Sequence, residues 1–147
     1  MIVDDIFETI FYPKVKEFVE KNSKYSAFVT KNKTQESKIF PIVTMKLLPT
    51  ENQYNNLSYG EQTYTFGIDI NIYSIDKSLD NVKISKRTIC NEITKIIVNF
   101  FETNYHVTIK IELDLLNIDS NVHRNNIRVT GKLDTKYGLD KLVIYPR

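Results

Sequence analysis

The sequence is short of several residue types. Its 147 positions hold one cysteine, two histidines, no tryptophan, and four each of glycine and proline. Each scarcity removes a class of protein. A lone cysteine, Cys90, has no partner within the chain, which excludes a disulfide framework and fits a reducing compartment. His106 and His123 stand far apart, with no cysteine or carboxylate at ligand spacing, so no zinc motif is present. Gly60, Gly67, Gly131 and Gly138 are isolated from one another, so no glycine-rich phosphate cradle exists. No apolar run approaches the ~20 residues that a bilayer helix needs. Asp4, Asp5 and Glu8 lie where a signal peptide would carry basic residues, which argues against secretion. The expectation is a chain made and used in a cytoplasm, without a membrane partner.

Charge is equally undirected. Lys and Arg number 20 against 18 acids, for a net charge of +2. The two signs are interspersed along the chain. A duplex-binding module usually shows a basic stripe or a clear Lys/Arg excess, and the sequence displays neither.

What is present is strong apolar patterning in a chain of single-domain length, residues 1–147. Residues 3–21 place Val3, Phe7, Ile10, Phe11, Val15, Phe18 and Val19 at helical spacing. Pro13 lacks a backbone donor, so it should kink this helix or split it near Tyr12. Residues 24–30 and 39–48 read as strands, the first with Tyr25, Ala27 and Val29 on one face, the second with Val43, Met45 and Leu47. Residues 49–62 read as a polar loop. Residues 63–73 alternate strictly, with Tyr64, Phe66, Ile68, Ile70 and Ile72 opposite Thr63, Thr65, Gly67, Asp69 and Asn71, the pattern of one buried and one polar face. Residues 76–81 supply helix caps, and residues 82–104 form the main helix, with Val82, Ile89, Ile93, Ile96, Ile97 and Phe100 as its apolar stripe. Residues 107–115 alternate through Val107, Ile109, Ile111, Leu113 and Leu115. A polar turn follows at 117–126, then strands at 126–135 and 142–145. The implied architecture is α+β: a mostly antiparallel sheet with two main helices packed on one face.

Few residues carry candidate chemistry. Glu112 and Asp114, with Asp119 nearby, are spaced to share one strand face, and paired carboxylates perform acid–base or two-metal work. They also alternate with apolar residues, as the solvated face of a half-buried strand does; Asp69 and Asp134 have the same character. Cys90 adjoins the apolar stripe of the main helix, where a free thiol acts as a small hydrophobe. The sequence calls for no cofactor and no metal. Within the polar loop, Tyr54, Asn55, Asn56, Leu57 and Tyr59 form a candidate interface. Base-stacking aromatics usually lie beside Lys or Arg, and this loop has Glu51 and Glu61 instead. Its open readings are protein contact and an ordinary solvated loop.

The order of elements resembles the phage tail terminator (tail completion) proteins and the related minor capsid and neck proteins. The resemblance runs through Phe40-Pro41-Ile42-Val43, the long strand Tyr64-Thr65-Phe66-Gly67-Ile68-Asp69-Ile70-Asn71-Ile72-Tyr73, the segment Arg128-Val129-Thr130-Gly131-Lys132-Leu133-Asp134, and the short Val143-Ile144-Tyr145. It covers nearly the whole chain without an invariant motif. It implies a tail-terminator-like fold and a structural virion protein, not an enzyme, assembled in the host cytoplasm. The subunit would join a homohexameric ring that caps the tail tube protein and meets a neck or connector protein, while genomic DNA passes through the lumen without specific binding. A head–tail joining protein is the alternative within this class; outside it stand a small enzyme using Glu112, Asp114 and Asp119, and a nucleic-acid-binding α+β module, which steeply salt-dependent DNA binding would support.

Overall fold

The long strand β4 (Glu61–Ser74) is the axis of the fold. Its apolar set, Phe66, Ile68, Ile70 and Ile72, is buried, as strict alternation requires. The computed structural model describes residues 6–31, 40–48, 51–56, 61–116, 119, 121–135 and 142–144. Around β4 the remaining strands assemble: β1 (Phe28–Thr30), β2 (Ile42–Leu47), β3 (Glu51–Asn56), β7 (Thr108–Leu115), β8 (His123–Thr135) and β9 (Leu142–Ile144). The path runs β1-β2-β4-β8-β7; β3 pairs with β4, and β9 with β8, to give seven strands. Among the described residues only the β1–β2 pair is parallel. A separate hairpin joins β5 (Lys77–Leu79) to β6 (Val82–Ile84).

Two helices cover one face. The first, α1 (Tyr12–Asn22), continues directly from a π-helical turn at Phe7–Phe11. Pro13 explains the π turn, because it cannot donate the bond an α-helical ladder needs there. Tyr12 N–H bonds instead to Phe7 O, and the backbone stays helical through the junction. The expected break is therefore a change of winding. Phe7, Phe11, Val15 and Val19 are buried, while Val3 lies outside the described residues. The second helix, α2 (Lys86–Asn104), lays Ile89, Ile93, Ile97, Phe100 and Phe101 onto the sheet. An aromatic cluster joins the layers: the Phe11 ring stacks on Phe66 at 5.2 Å, and Phe18 meets Phe100 at 5.3 Å. The α+β architecture, with helices on one face of a mostly antiparallel sheet, is the expected one.

Four boundaries differ from the sequence expectation, the first being that of β1, which begins at Phe28 and not at Lys24, with Ser26 at a left-handed φ of 56°. The segment expected as a polar loop, which holds Tyr54, Asn55 and Asn56, contains β3, paired antiparallel with the first half of β4. Its polar composition did not prevent pairing, because strand preference is set by the neighbouring strand more than by the residue. The main helix starts at Lys86, not Val82. Asp80 and Asn81 take left-handed φ values of 52° and 66°, which makes them a two-residue hairpin turn. Val82 thus sits on β6, 61% exposed. The Ser85 side chain accepts from Thr88 N, and Asp76 Oδ1 accepts from Lys86 N at 2.8 Å, so the cap residues still serve the helix. Finally, β8 begins at His123, inside the stretch expected as a turn.

Candidate functional site

The carboxylates that could have formed a catalytic pair are separated. Between Glu112 and Leu115 the β7–β8 register shifts, and Asp114 adopts φ 59°. This bulge re-aims alternate side chains. Glu112 stays on the face without helices, 3.9 Å from Lys110. Asp114 turns to the helical side, where Arg87 of α2 donates to its Oδ2 at 2.8 Å and His123 Nδ1 lies 3.4 Å from its Oδ1. The expectation of one shared face is corrected: the sheet lies between the two acids. Asp119 is exposed and accepts from Asn121 N at 2.9 Å, a local turn contact. Among the described residues no group of three or more His, Cys, Asp or Glu could hold a metal ion. The Asp134 side chain lies outside those described.

His123 is buried rather than sited in a polar turn, and a hydrogen-bonded network explains why that is tolerated. Asn125, fully buried on β8, is its centre. The Asn125 carbonyl oxygen accepts from Asp114 N at 3.0 Å and pairs with His123 Nε2 at 3.1 Å, so the imidazole donates there. The Asn125 amide donates to Asn91 Oδ1 at 3.0 Å and Thr94 Oγ1 at 3.1 Å, both on α2. Thr94 in turn donates to Cys90 O at 2.7 Å. Every donor and acceptor of the Asn125 amide is used, which is what burial of a polar group demands. The network ties the β7 bulge, the start of β8 and the middle of α2 together. Cys90 beside it has no solvent exposure, and burial pushes its thiol from 9.0 up to about 12. A thiol held protonated is a poor nucleophile, so Cys90 fills the role of a small core residue. His106, just beyond α2, is exposed.

The outer part of β7 presents apolar side chains to solvent. Its expected buried stripe is realised only in part. Val107 and Ile109 pack against the core, but Ile111 is 44% exposed and Leu113 55%, with Leu116 just beyond at 95%. Leu115, carried through the bulge, lines the helix-free face with Glu112 and Arg124 instead of sharing the stripe. Among the described residues the main path of the sheet ends at β7 on one side and at β1 on the other, where Phe28 is 41% exposed, while β9 and β3 edge the same two sides further along β8 and β4. Of the interface residues expected from sequence, Tyr54, Asn55 and Asn56 fall on β3. Leu57 and Tyr59 lie outside the described residues.

The helix-free face of the sheet is polar, and its side chains are ordered. Asn126 donates to Asp69 Oδ1 at 2.9 Å and to Asn71 Oδ1 at 3.0 Å; Arg124 Nε donates to the same Asn71 oxygen at 3.0 Å. Arg128 stands 3.6 Å from Asp69. Strand register brings these residues together from both central strands: Asp69 pairs with Arg128, and Asn71 with Asn126. Lys46 lies opposite Asp69 on the β2 side, and Lys110 opposite Arg128 on the β7 side. Lys132, two alternations beyond Arg128, shares the face and is exposed. By register this face carries Lys46, Lys110, Arg124, Arg128 and Lys132, and with them Glu51, Glu61, Asp69, Glu112 and Asp134. Comparison with models of known protein families gives no match, and neither does comparison with curated protein sequences.

Proposed function

We propose that the chain is a structural ring subunit of a phage-type tail, a terminator that caps the tail tube and offers a docking face to the neck. The observation that carries this reading is the pair of unlike sheet edges. One is β7, eight residues long, with Ile111, Leu113 and Leu116 exposed beside it; the other is β1, three residues long, with Phe28 exposed. Apolar side chains gathered at an edge mark a contact site more than scattered ones do. Two unlike edges favour a head-to-tail contact, and head-to-tail contacts generate rings when the rotation closes. The order of elements adds support through its likeness to tail terminators, for which a hexamer is the expected copy number. A head–tail joining protein fits the same edges and differs in where it sits. Splitting Glu112 from Asp114 removes the arrangement on which an enzyme reading rested.

The test is the mass of the purified protein, alone and mixed with tail tubes, with negative-stain images of both. Rings with a central hole, or caps at tube ends, are expected. Leu113→Glu with Leu116→Glu, at two exposed positions, should leave a folded monomer. Replacing Tyr54, Leu57 and Tyr59 with Ser tests whether the β3–β4 hairpin contributes to the same contact. A wild-type chain that stays monomeric and ignores tubes would overturn the ring.

A further inference from the structure

The edge of β7 is open to another strand in a way that the edge of β1 is not. Leu48 N donates to Gly67 O at 2.8 Å, so Gly67 turns its backbone groups towards β2. Backbone groups alternate sides along a strand. Phe66, Ile68, Ile70 and Ile72 therefore bond to β8, while Arg128 and Asn126 of β8 bond to β7. On β7 this phase turns Lys110 and Glu112 inward. The N–H and C=O groups of Ile109 and Ile111 point outward, with no partner among the described residues. The β1 edge is closed at the equivalent point. Phe28 N bonds to Pro41 O, so Val29 faces outward, and its carbonyl accepts from Tyr12 OH at 3.2 Å.

Side chains say what fits the open edge. α2 packs on β4 and β8 far more than on β7, which leaves Ile111 and Leu113 exposed on the helical side. Lys110 and Glu112 stand on the opposite side, 3.9 Å apart. A strand added antiparallel here must offer apolar residues to the first side and opposite charges to the second. β7 of a second copy meets both demands. With a two-fold axis at Ile111, Ile111 faces its own copy and Ile109 faces Leu113 of the second copy. Lys110 faces Glu112 of the second copy, and the symmetry makes that pair twice. Centring on Lys110 would set lysine against lysine, and centring on Glu112 glutamate against glutamate, so charge selects one register. From this self-complementarity we infer that the free chain forms a two-fold dimer, in which β7 pairs antiparallel with β7 of a second copy and the two sheets become one.

The pairing leaves the existing Lys110–Glu112 contact in place. An ammonium has three donors and a carboxylate several acceptor sites, so the four charges alternate in sign around the seam. The bulge at Asp114 ends the seam after Leu113. So short a contact falls below the ~1,200 Å² of a standard interface, and the dimer is weak and concentration-dependent. The inference concerns the free chain and does not rest on the ring. Because β7 meets one neighbour at a time, the dimer must open before this edge enters a ring.

The experiment is sedimentation velocity of the full chain from about 5 µM to about 1 mM, where a monomer–dimer equilibrium is expected. Lys110→Glu and Glu112→Lys each place like charges opposite one another twice, and each should weaken the dimer at least tenfold. The double variant Lys110→Glu/Glu112→Lys should restore it, and an equimolar mixture of the two single variants should form a heterodimer. Ile111→Pro removes an outward N–H without touching the β8 ladder and should abolish the dimer. Hydrogen exchange at the Ile109 and Ile111 amides should slow as wild-type concentration rises. Circular dichroism confirms that the variants, all at exposed positions, still fold. A monomer at every concentration, single variants that dimerise like wild type, or a double variant that stays monomeric would overturn the inference. So would rings formed directly by the free chain without a dimer. The two readings fail separately: dimers that never cap tubes would sink the ring and keep the inference, and tube caps built from a chain that is monomeric when free would do the reverse.

Discussion

Replacing Asn125 with alanine tests the network that organises one side of the fold. The side chain serves four partners: Asp114 N, His123 Nε2, Asn91 Oδ1 and Thr94 Oγ1. Not all of them suffer equally from its loss. Asn91 is exposed and water replaces its partner. Thr94 keeps its bond to Cys90 O. Asp114 N sits in an exposed bulge. His123 is 7% exposed, so its ring N–H is left without a partner in a nearly dry site. A stranded buried donor costs ~1–3 kcal/mol, and each net hydrogen bond lost adds ~1 kcal/mol where water cannot substitute. The expected loss is about 2–4 kcal/mol. For a chain of this length that lowers the thermal midpoint by roughly 5–15 °C. Urea unfolding followed by circular dichroism measures it directly. Asn91→Ala removes one bond at the exposed end of the same network and should cost under ~1 kcal/mol. An Asn125→Ala protein within about 0.5 kcal/mol of wild type would refute the network, as would an Asn91→Ala loss of equal size, since the argument rests on burial of the histidine end.

Three further outcomes follow from the core. A Cβ at Gly131 would stand 2.8 Å from the buried Phe66 ring and 3.1 Å from Val107, so Gly131→Ala should cost about 1–3 kcal/mol in chemical unfolding; a neutral result would contradict the packing of β8 beneath Phe66. Ile68→Asp places an unpaired charge at a fully buried position and should abolish cooperative folding; a stable, folded variant would reverse the facing of β4. The Cys90 thiol, raised from 9.0 to about 12 in the folded chain, stays protonated at pH values where the unfolded chain loses that proton. Stability from this group is complete below pH 9 and declines as pH rises towards 12, with a slope of at most ~1.4 kcal/mol per unit. Cys90→Ala should reduce the alkaline slope of the unfolding free energy over that range, and an identical slope in both proteins would refute the burial of the thiol.

The parts of the fold visible in the sequence are those governed by local periodicity. The alternation of Phe66, Ile68, Ile70 and Ile72 specifies a half-buried strand whatever lies beside it, and the spacing of Ile89, Ile93, Ile97 and Phe100 specifies a covering helix. The misread parts depend on partners distant in sequence. β3 is polar throughout, and pairing with β4 makes it a strand. His123 and Asn125 look like turn residues until α2 supplies Asn91 and Thr94 to satisfy them. The hairpin at Asp80-Asn81 did carry a local signal: two residues tolerant of left-handed backbone between short β-prone segments. The same residues also serve as helix caps, and the long helix that follows favoured that reading.

The same distinction governs the surfaces. Composition reports charge per chain, whereas a ligand meets charge per face. Lys46, Asp69, Lys110 and Arg128 lie on four different strands and become neighbours through register alone, so no window of sequence displays them as a row. Two acids are placed off this face: Asp114 is turned through the bulge towards Arg87, and Asp76 caps α2. A one-residue bulge thus acts in two ways. It keeps Asp114 off the helix-free face, and it ends the regular pairing of β7 next to Leu113 and Leu116, which remain uncovered. The local backbone choice at Asp114 therefore links the apolar edge to the polar, helix-free face. Straightening β7 would return a carboxylate to the helix-free side and lower its net charge by one. The edge and the face should respond together to any change at this position.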